Sequence, residues 1–318
     1  MTRADRIAGA MFGAAIGDAL GSAFEFVDSD VIERQLGEPI VRAYLPALHE
    51  SLLYPRSPGQ PTDDTAMALS VALALASGEA LTPRLFAQHF MTDLERTTGR
   101  FGEMFWNGGP GGATTRALRR LRAGTDPARC GHNEDGGNGA AMRAHPVGFL
   151  PDREAVLDVA AAQAQVTHGH PAAVVAAQAI AAIVHDALDG AALSVQLPAG
   201  LHDETFAKSW RELHANLSPS GLALPSRLRN VAMSGWETVC AAHAIAMCFE
   251  DDPAAAIGVA AASGGDTDTV ASITGAIVGA RNGVSALPAR LVEELTARPL
   301  LDDVIARLQT AMLTQPVH

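Results

Sequence analysis

Gly264-Gly265-Asp266-Thr267-Asp268-Thr269 lies between an alanine-rich run, Ala254 to Ala262, and an apolar series at helical spacing, Val270, Ile273, Ile277 and Ala280. Two Asp and two Thr therefore fill four consecutive positions at the opening of a predicted helix. A second stretch, Pro61-Thr62-Asp63-Asp64-Thr65, has the same character and opens another helix, with Met67, Val71, Ala74 and Leu75 on one face. An N-cap role would satisfy either cluster alone. Asp and Thr oxygens accept bonds from the unpaired N–H groups of a first turn, and acids suit the positive end of the helix dipole. A cap needs one oxygen, however, and each stretch supplies several. Magnesium and manganese take all-oxygen, near-octahedral shells. Two such ions about 3.5–4 Å apart engage several carboxylates at once. Asp63, Asp64, Asp266 and Asp268, with Thr62 and Thr269, offer such a shell. The chain reads as a scaffold that brings two distant clusters together around hard cations.

The rest of the chain is helical in pattern. Helices are predicted over 5–20, 65–77, 83–97, 114–121, 151–166, 172–188 and 236–249, with a short one around Trp210 to Leu217. Strand signals are sparse, so the expected fold is all-α, one compact domain over residues 1–318 with a peripheral portion at about 189–230. A chain of 318 residues, 48% hydrophobic, is ample for a sizeable core. The formal charge of −12 and the lack of any basic run argue against a nucleic-acid surface. Three cysteines, none in C-x-x-C spacing, fit a reduced, cytoplasmic protein. Arg3 and Arg6 before the apolar run Ile7 to Leu20 imitate a signal peptide, but Asp18 interrupts the run and no A-x-A site follows cleanly. Elsewhere no run of 18 or more uncharged apolar residues appears, so no membrane span is expected.

In the first helix Gly9, Gly13 and Gly17 recur every four residues, which predicts close packing against a neighbouring helix. Glu25 follows between Phe24 and Phe26. A carboxylate in apolar surroundings is costly unless paired, so Glu25 is either a satisfied buried acid or part of the metal machinery.

Residues 39–61 carry five prolines and read as a loop leading into the first acidic cluster. Residues 99–113 read as a Gly-rich loop (Gly102, Gly108, Gly109, Gly111, Gly112) ahead of a helix. Such a loop is a plain turn or a phosphate cradle; no Lys-Ser/Thr follows, so it is not a P-loop. The stretch Gly136-Gly137-Asn138-Gly139-Ala140-Ala141-Met142-Arg143 offers backbone amides, one amide side chain and one cation. It is no dinucleotide fingerprint, because Met142 stands where a third glycine belongs and no strand precedes it. In Thr167-His168-Gly169-His170-Pro171 the two His lack a third ligand nearby and H-E-x-x-H is absent, so no zinc site is expected. His168 reads as a substrate contact or a loop-fixing side chain, and His243 as a core histidine.

Five segments in order, GAAIGDALGSAFEF (13–26), PTDDTA (61–66), GNGAAMRAHPVG (137–148), THGHP (167–171) and GGDTDTVASITGAIVG (264–279), resemble the ADP-ribosylglycohydrolase family over nearly the whole length. The resemblance implies an orthogonal helical fold around two Mg2+ or Mn2+ ions. Thr62, Asp63 and Asp64 match the first ligand motif, and Asp266, Asp268 and Thr269 the second. Glu25 matches a mobile glutamate beside the metals, so Glu25, Asp63 and Asp268 become the candidate catalytic carboxylates. Gly109 and Gly111, with Gly137, Asn138, Gly139 and Met142, match the regions that hold a diphosphate and the distal ribose, and His168 matches a substrate-lining position. Pro61 departs from the family, where a bulky residue often precedes Thr-Asp-Asp; the ligands are unaffected. The implied activity is hydrolysis at C1 of the distal ribose of an ADP-ribosylated protein or small-molecule ADP-ribose conjugate, by a monomer. A non-catalytic ADP-ribose binder and a metal phosphohydrolase cutting the diphosphate are the alternatives.

Overall fold

Proline and capping residues punctuate this chain, and helices start where they stand. The computed structural model describes residues 1–48, 56–217 and 221–314. Part of the predicted 39–61 loop (residues 49–55) and Pro219 lie outside them. The helices are α1 (Arg3–Gly21), α2 (Ser29–Leu36), α3 (Asp63–Ala76), α4 (Pro83–Asp93), α5 (Gly102–Gly108), α6 (Gly112–Arg122), α7 (Arg153–Gln165), α8 (Pro171–Leu188), α9 (Glu204–His214), α10 (Gly235–Cys248), α11 (Pro253–Ala261), α12 (Thr267–Asn282), α13 (Ala289–Glu294) and α14 (Arg298–Thr314). Among the described residues there is no strand, and the all-α expectation holds. Pro83, Pro171 and Pro253 each open a helix, where the missing N–H costs nothing. Thr82, Asp152, Asp203 and Ser234 cap first turns through side-chain oxygens.

The core is built on α1, α3, α8, α10 and α12, whose side chains are nearly all buried. By length and composition α8 would cross a membrane, but 78% of it is buried inside the protein. The glycine stripe of α1 meets its partner in α12, and the two run antiparallel. A Cβ at Gly9, Gly13, Gly17 or Gly21 would overlap the carbonyl oxygen of Gly279, Gly275, Ala271 or Thr267 in turn. Gly275 and Gly279 return the fit against the carbonyls of Gly13 and Gly9. Backbone therefore packs on backbone at four successive glycines of α1, an approach that only hydrogen at Cα permits.

This zipper fixes three chain ends relative to one another. The C-terminal end of α1 lies against the N-terminal end of α12, tied by Thr267 Oγ1 donating to Gly21 O at 2.8 Å. Asp18, on the last turns of α1, holds the start of α3. Its carboxylate accepts from Thr62 N at 2.9 Å, Thr65 N at 3.1 Å and Thr65 Oγ1 at 2.6 Å. The acid that interrupts the apolar run thus caps another helix.

Some boundaries differ from expectation for local reasons. The helix predicted to reach residue 97 ends at Asp93, because Glu95 Oε2 takes the N–H groups of Thr97 and Thr98 at 2.8 and 2.9 Å. The 99–113 loop contains a seven-residue helix, α5, before Gly109 turns the chain at φ +82°. Residues 189–217 and 221–230 are anchored on α10: Phe206, Trp210 and Leu228 are buried, and His214 Nε2 lies 2.8 Å from His243 Nδ1. His243 is a core histidine, as expected.

Candidate functional site

The two acidic clusters meet. Thr269 Oγ1 and Asp64 Oδ1 approach to 3.5 Å although 205 positions separate them in the chain. Each cluster opens a helix aimed at the same point. At α3, Thr62 and Asp18 share the capping, Thr62 Oγ1 accepting from Asp64 N at 3.3 Å, so the carboxylates of Asp63 and Asp64 are free for other work. At α12, Asp266 caps nothing; its Oδ2 accepts from Asn138 Nδ2 at 2.7 Å. Gly264 and Gly265 make the turn into α12 at φ +79° and +76°, a region that glycine alone enters without strain. Gly265 is further pinned through its carbonyl to Phe26 N, at 2.7 Å.

That bond turns Glu25 toward the clusters. Oxygens of Glu25, Asp266 and Asp268 lie within 4.8 Å of one another. Phe26, the next residue, adopts φ +63° and points outward at the mouth of the site. A non-glycine residue there costs about 1–2 kcal/mol, offset by the backbone bonds that hold it.

The acids crowd one another. Burial, then the charge of Asp268, pushes Asp63, Asp64 and Asp266 well above the usual carboxylate range. The same two causes raise Asp18 to about 6 and Glu25 to about 8. Among the described residues Arg56 is the only cation within ion-pair distance, its Nη1 2.9 Å from Glu25 Oε2 and 3.8 Å from Asp268 Oδ2. Burial works against the Arg56 charge, and Asp268 and Glu25 outweigh it, so its pKa is raised. Asp64 Oδ2 is buried with no hydrogen-bond partner. A buried carboxylate oxygen left open, in an all-oxygen donor set short of positive charge, is what a hard divalent cation satisfies. The residues present therefore fit magnesium or manganese.

Thirteen of the fourteen residues singled out from the sequence line one cavity of about 210 Å³: Glu25, Asp63, Asp64, Gly109, Gly111, Gly137, Asn138, Gly139, Met142, His168, Asp266, Asp268 and Thr269. Thr62 lies just behind the lining. One wall is the start of α6, where Gly111 is the N-cap and no side chain takes the first N–H groups. The adjoining wall is the 137–142 turn, whose Gly139 comes up against Thr114 of α6. His168 stands beneath this turn, its Nδ1 2.8 Å from Thr167 Oγ1. Thr167 Oγ1 also accepts from Arg143 Nη2 at 2.8 Å, which ties the imidazole to the buried guanidinium. Burial, then Arg143, lowers the His168 pKa to about 3 and keeps the ring neutral. His168 thus stands under the turn, as the loop-fixing reading has it, and also lines the cavity.

Arg143 corrects an expectation. The sequence offers it as a cation of the Gly-rich turn, but it is fully buried, over the Phe90 ring, and its donors go to Gln163, Gly139 O and Thr167. Sequence reasoning also missed four residues. Asp18 had a visible signal, a charge inside an apolar run. Arg56 sits in the aperiodic proline-rich loop. Phe26 and Met233, half exposed at the mouth, look like ordinary hydrophobic positions. Met233 reaches the site because 231–234 bridges to Gly265 on one side and Gly137 on the other.

The comparisons with known proteins agree with this geometry. The family model described as ADP-ribosylglycohydrolase matches residues 1–316. The chain is 30% identical to the uncharacterised protein YegU of Escherichia coli (strain K12), over 94% of each chain. It is 27% identical to the ADP-ribosyl-[dinitrogen reductase] glycohydrolase of Rhodospirillum rubrum, over 92% of this chain and 90% of that one. A solved structure titled as an ADP-ribosylglycohydrolase-related protein complex superposes with a TM-score of 0.73 at 27% identity, covering 97% of this chain and 98% of that chain. With the fold, the order of its segments and the match over the whole length in agreement, the chain belongs to the ADP-ribosylglycohydrolase family.

Proposed function

We propose that this protein is a divalent-metal-dependent hydrolase that cleaves the bond to C1 of the distal ribose in an ADP-ribosylated protein side chain and releases ADP-ribose. The observation that carries the reading is the convergence of two acidic helix starts, with Glu25, on one buried cavity whose walls are a bare helix N-terminus and a Gly-rich turn. Asp63, Asp64, Asp266, Asp268, Thr62 and Thr269 would hold two Mg2+ or Mn2+ ions. When bound, such ions orient ribose hydroxyls and lower the pKa of a bound water.

The chain's own residues do the rest. The free N–H groups at the start of α6, with Gly109 and Gly111, suit a diphosphate, since a helix N-terminus carries partial positive charge. Gly137, Gly139 and Asn138, supported by Met142 and His168, suit the ribose side of the cavity. Glu25 lines the cavity with its carboxylate partly exposed, and takes the proton of the attacking water, a role worth about 10²–10⁴-fold. The water oxygen bonds to C1, the bond from C1 to the acceptor atom breaks with its electron pair, and the acceptor leaves with a proton. The C1 centre passes through an oxocarbenium-like state, as in other glycoside cleavage.

The test is incubation with MnCl2 and a panel of arginine- and serine-linked ADP-ribosyl peptides, with products separated by chromatography. Wild type releases ADP-ribose, while Asp63→Ala and Asp268→Ala keep the helical circular dichroism and release none. Turnover surviving in both variants, AMP as the product, or binding of ADP-ribose without any turnover would each overturn the reading.

A further inference from the structure

Arg56 is unusual among the buried groups. Its side chain is 6% exposed, and among the described residues its one hydrogen bond runs from Nη2 to Gly108 O at 2.7 Å. Nε and Nη1 are buried without a hydrogen-bond partner, and so is Glu25 Oε2, although Nη1 stands 2.9 Å from it. Charge attraction contributes more to this contact than hydrogen bonding does. An arginine serving only the fold satisfies its donors, as Arg143 does with each of its three nitrogens. Arg56 instead keeps a charge among acids with the N–H groups of Nε and Nη1 unspent.

We propose that Arg56 is the built-in counter-cation of the acidic centre: it holds the carboxylates together before metal enters and competes with the incoming divalent ions, so that it sets how tightly they bind. The inference rests on the metal reading above. A positive charge a few ångströms from a divalent ion opposes its binding strongly at an effective dielectric of about 20, and only weakly in water. The contact is buried, so the strong case applies. The link to Gly108 O gives the charge a fixed anchor on α5, next to the turn at Gly109 that lines the cavity.

The experiment is a Mn2+ titration of chelator-treated protein, read by the electron paramagnetic resonance of free Mn2+, with thermal melting of the metal-free samples alongside. Arg56→Met keeps the bulk and drops the charge, Arg56→Gln also keeps a donor for Gly108 O, and Arg56→Lys keeps the charge. Arg56→Met and Arg56→Gln are expected to bind Mn2+ about tenfold more tightly than wild type or better, and to melt lower than wild type without metal. Arg56→Lys stays near wild type. If either neutral variant binds Mn2+ as wild type does, or more weakly, the inference falls while the metal reading stands. If none of the four proteins takes up Mn2+, the metal reading falls and takes this inference with it.

Discussion

Replacing Gly13 by alanine sets two effects of opposite sign against each other. Gly13 lies mid-helix, and there alanine is the better helix former by about 1 kcal/mol. Propensity alone therefore makes Gly13→Ala stabilising. The packing says otherwise. The new Cβ would lie 2.9 Å from the carbonyl carbon of Gly275, with the carbonyl oxygen nearer still. Optimal carbon–carbon contact is about 3.5–4.0 Å, so α1 and α12 must separate by something like 1 Å. No rotamer relieves the clash, because both partners are backbone. Overpacking costs about 1–3 kcal/mol where side chains yield, and this site belongs at the upper end. The net expectation is about 2 kcal/mol of destabilisation, a fall in Tm of roughly 3 °C for a chain of this size. The same displacement moves Asp266 and Asp268 against Asp63 and Asp64, and about 1 Å of misplacement costs on the order of 10²-fold in rate. Scanning calorimetry with the Mn2+-dependent ADP-ribose release assay reads both. A Tm equal to or above that of wild type would refute the zipper, whatever the activity.

Three further outcomes follow from the same structure. Asp63→Asn removes one repelling buried charge, so the metal-free protein should melt higher than wild type; the gain of about 2.7 kcal/mol that a ligand at a hundred times its Kd confers should shrink when Mn2+ is added, and a lower metal-free Tm counts against the repulsion. Asp18→Ala strands the donors of Thr62 and Thr65, and should cost about 1.5–3 kcal/mol in urea unfolding, as for other bonds to charged acceptors; a change below 0.5 kcal/mol, about the scatter for ordinary surface sites, contradicts the capping role. His145 is buried, and burial lowers its pKa to about 4 against an ordinary value near 6.5. The unfolded chain therefore binds this proton first, and stability present above about pH 6.5 is lost as pH falls toward 4, by about 2 kcal/mol at pH 5. In His145→Gln the difference in unfolding free energy between pH 7 and pH 5 should shrink by that amount, and an unchanged difference rules the assignment out.

What the sequence discloses depends on whether a feature is local. Helix starts are local: those expected at 65, 83 and 236 fall at Asp63, Pro83 and Gly235, within two residues of their places. The excess of oxygens over what a cap needs is local too, and it marks both halves of the centre. The glycine stripe on α1 announces a close neighbour without identifying it. Gly275 and Gly279 carry the answering spacing, but spacing alone does not pair two helices. Direction is not local. Arg143 and Arg56 are both cations in irregular, Gly- or Pro-rich stretches, and nothing in either stretch says which one turns into the core and which faces the acids. That outcome is set by Gln163, Thr167 and Phe90 in one case, and by Glu25, Asp268 and Gly108 in the other. All six are distant in sequence from the arginine they fix.

The close packing of α1 on α12 and the crowding of acids have one physical connection. Buried carboxylates that repel one another push their helices apart, and a centre built from loops would relax by opening. Here Asp266 and Asp268 sit at the start of α12, Asp63 and Asp64 at the start of α3, and α1 is bound to both, through its glycines on one side and Asp18 on the other. The positive ends of α3 and α12 favour the acids placed on them by about 0.3–1 kcal/mol each at exposed sites and more when partly buried. That is less than burial costs an unpaired charge. The frame, together with the buried Arg56 charge, therefore has to hold the carboxylates in place against the remainder. A backbone-to-backbone zipper, which cannot repack by changing rotamers, is the element in this fold suited to do so.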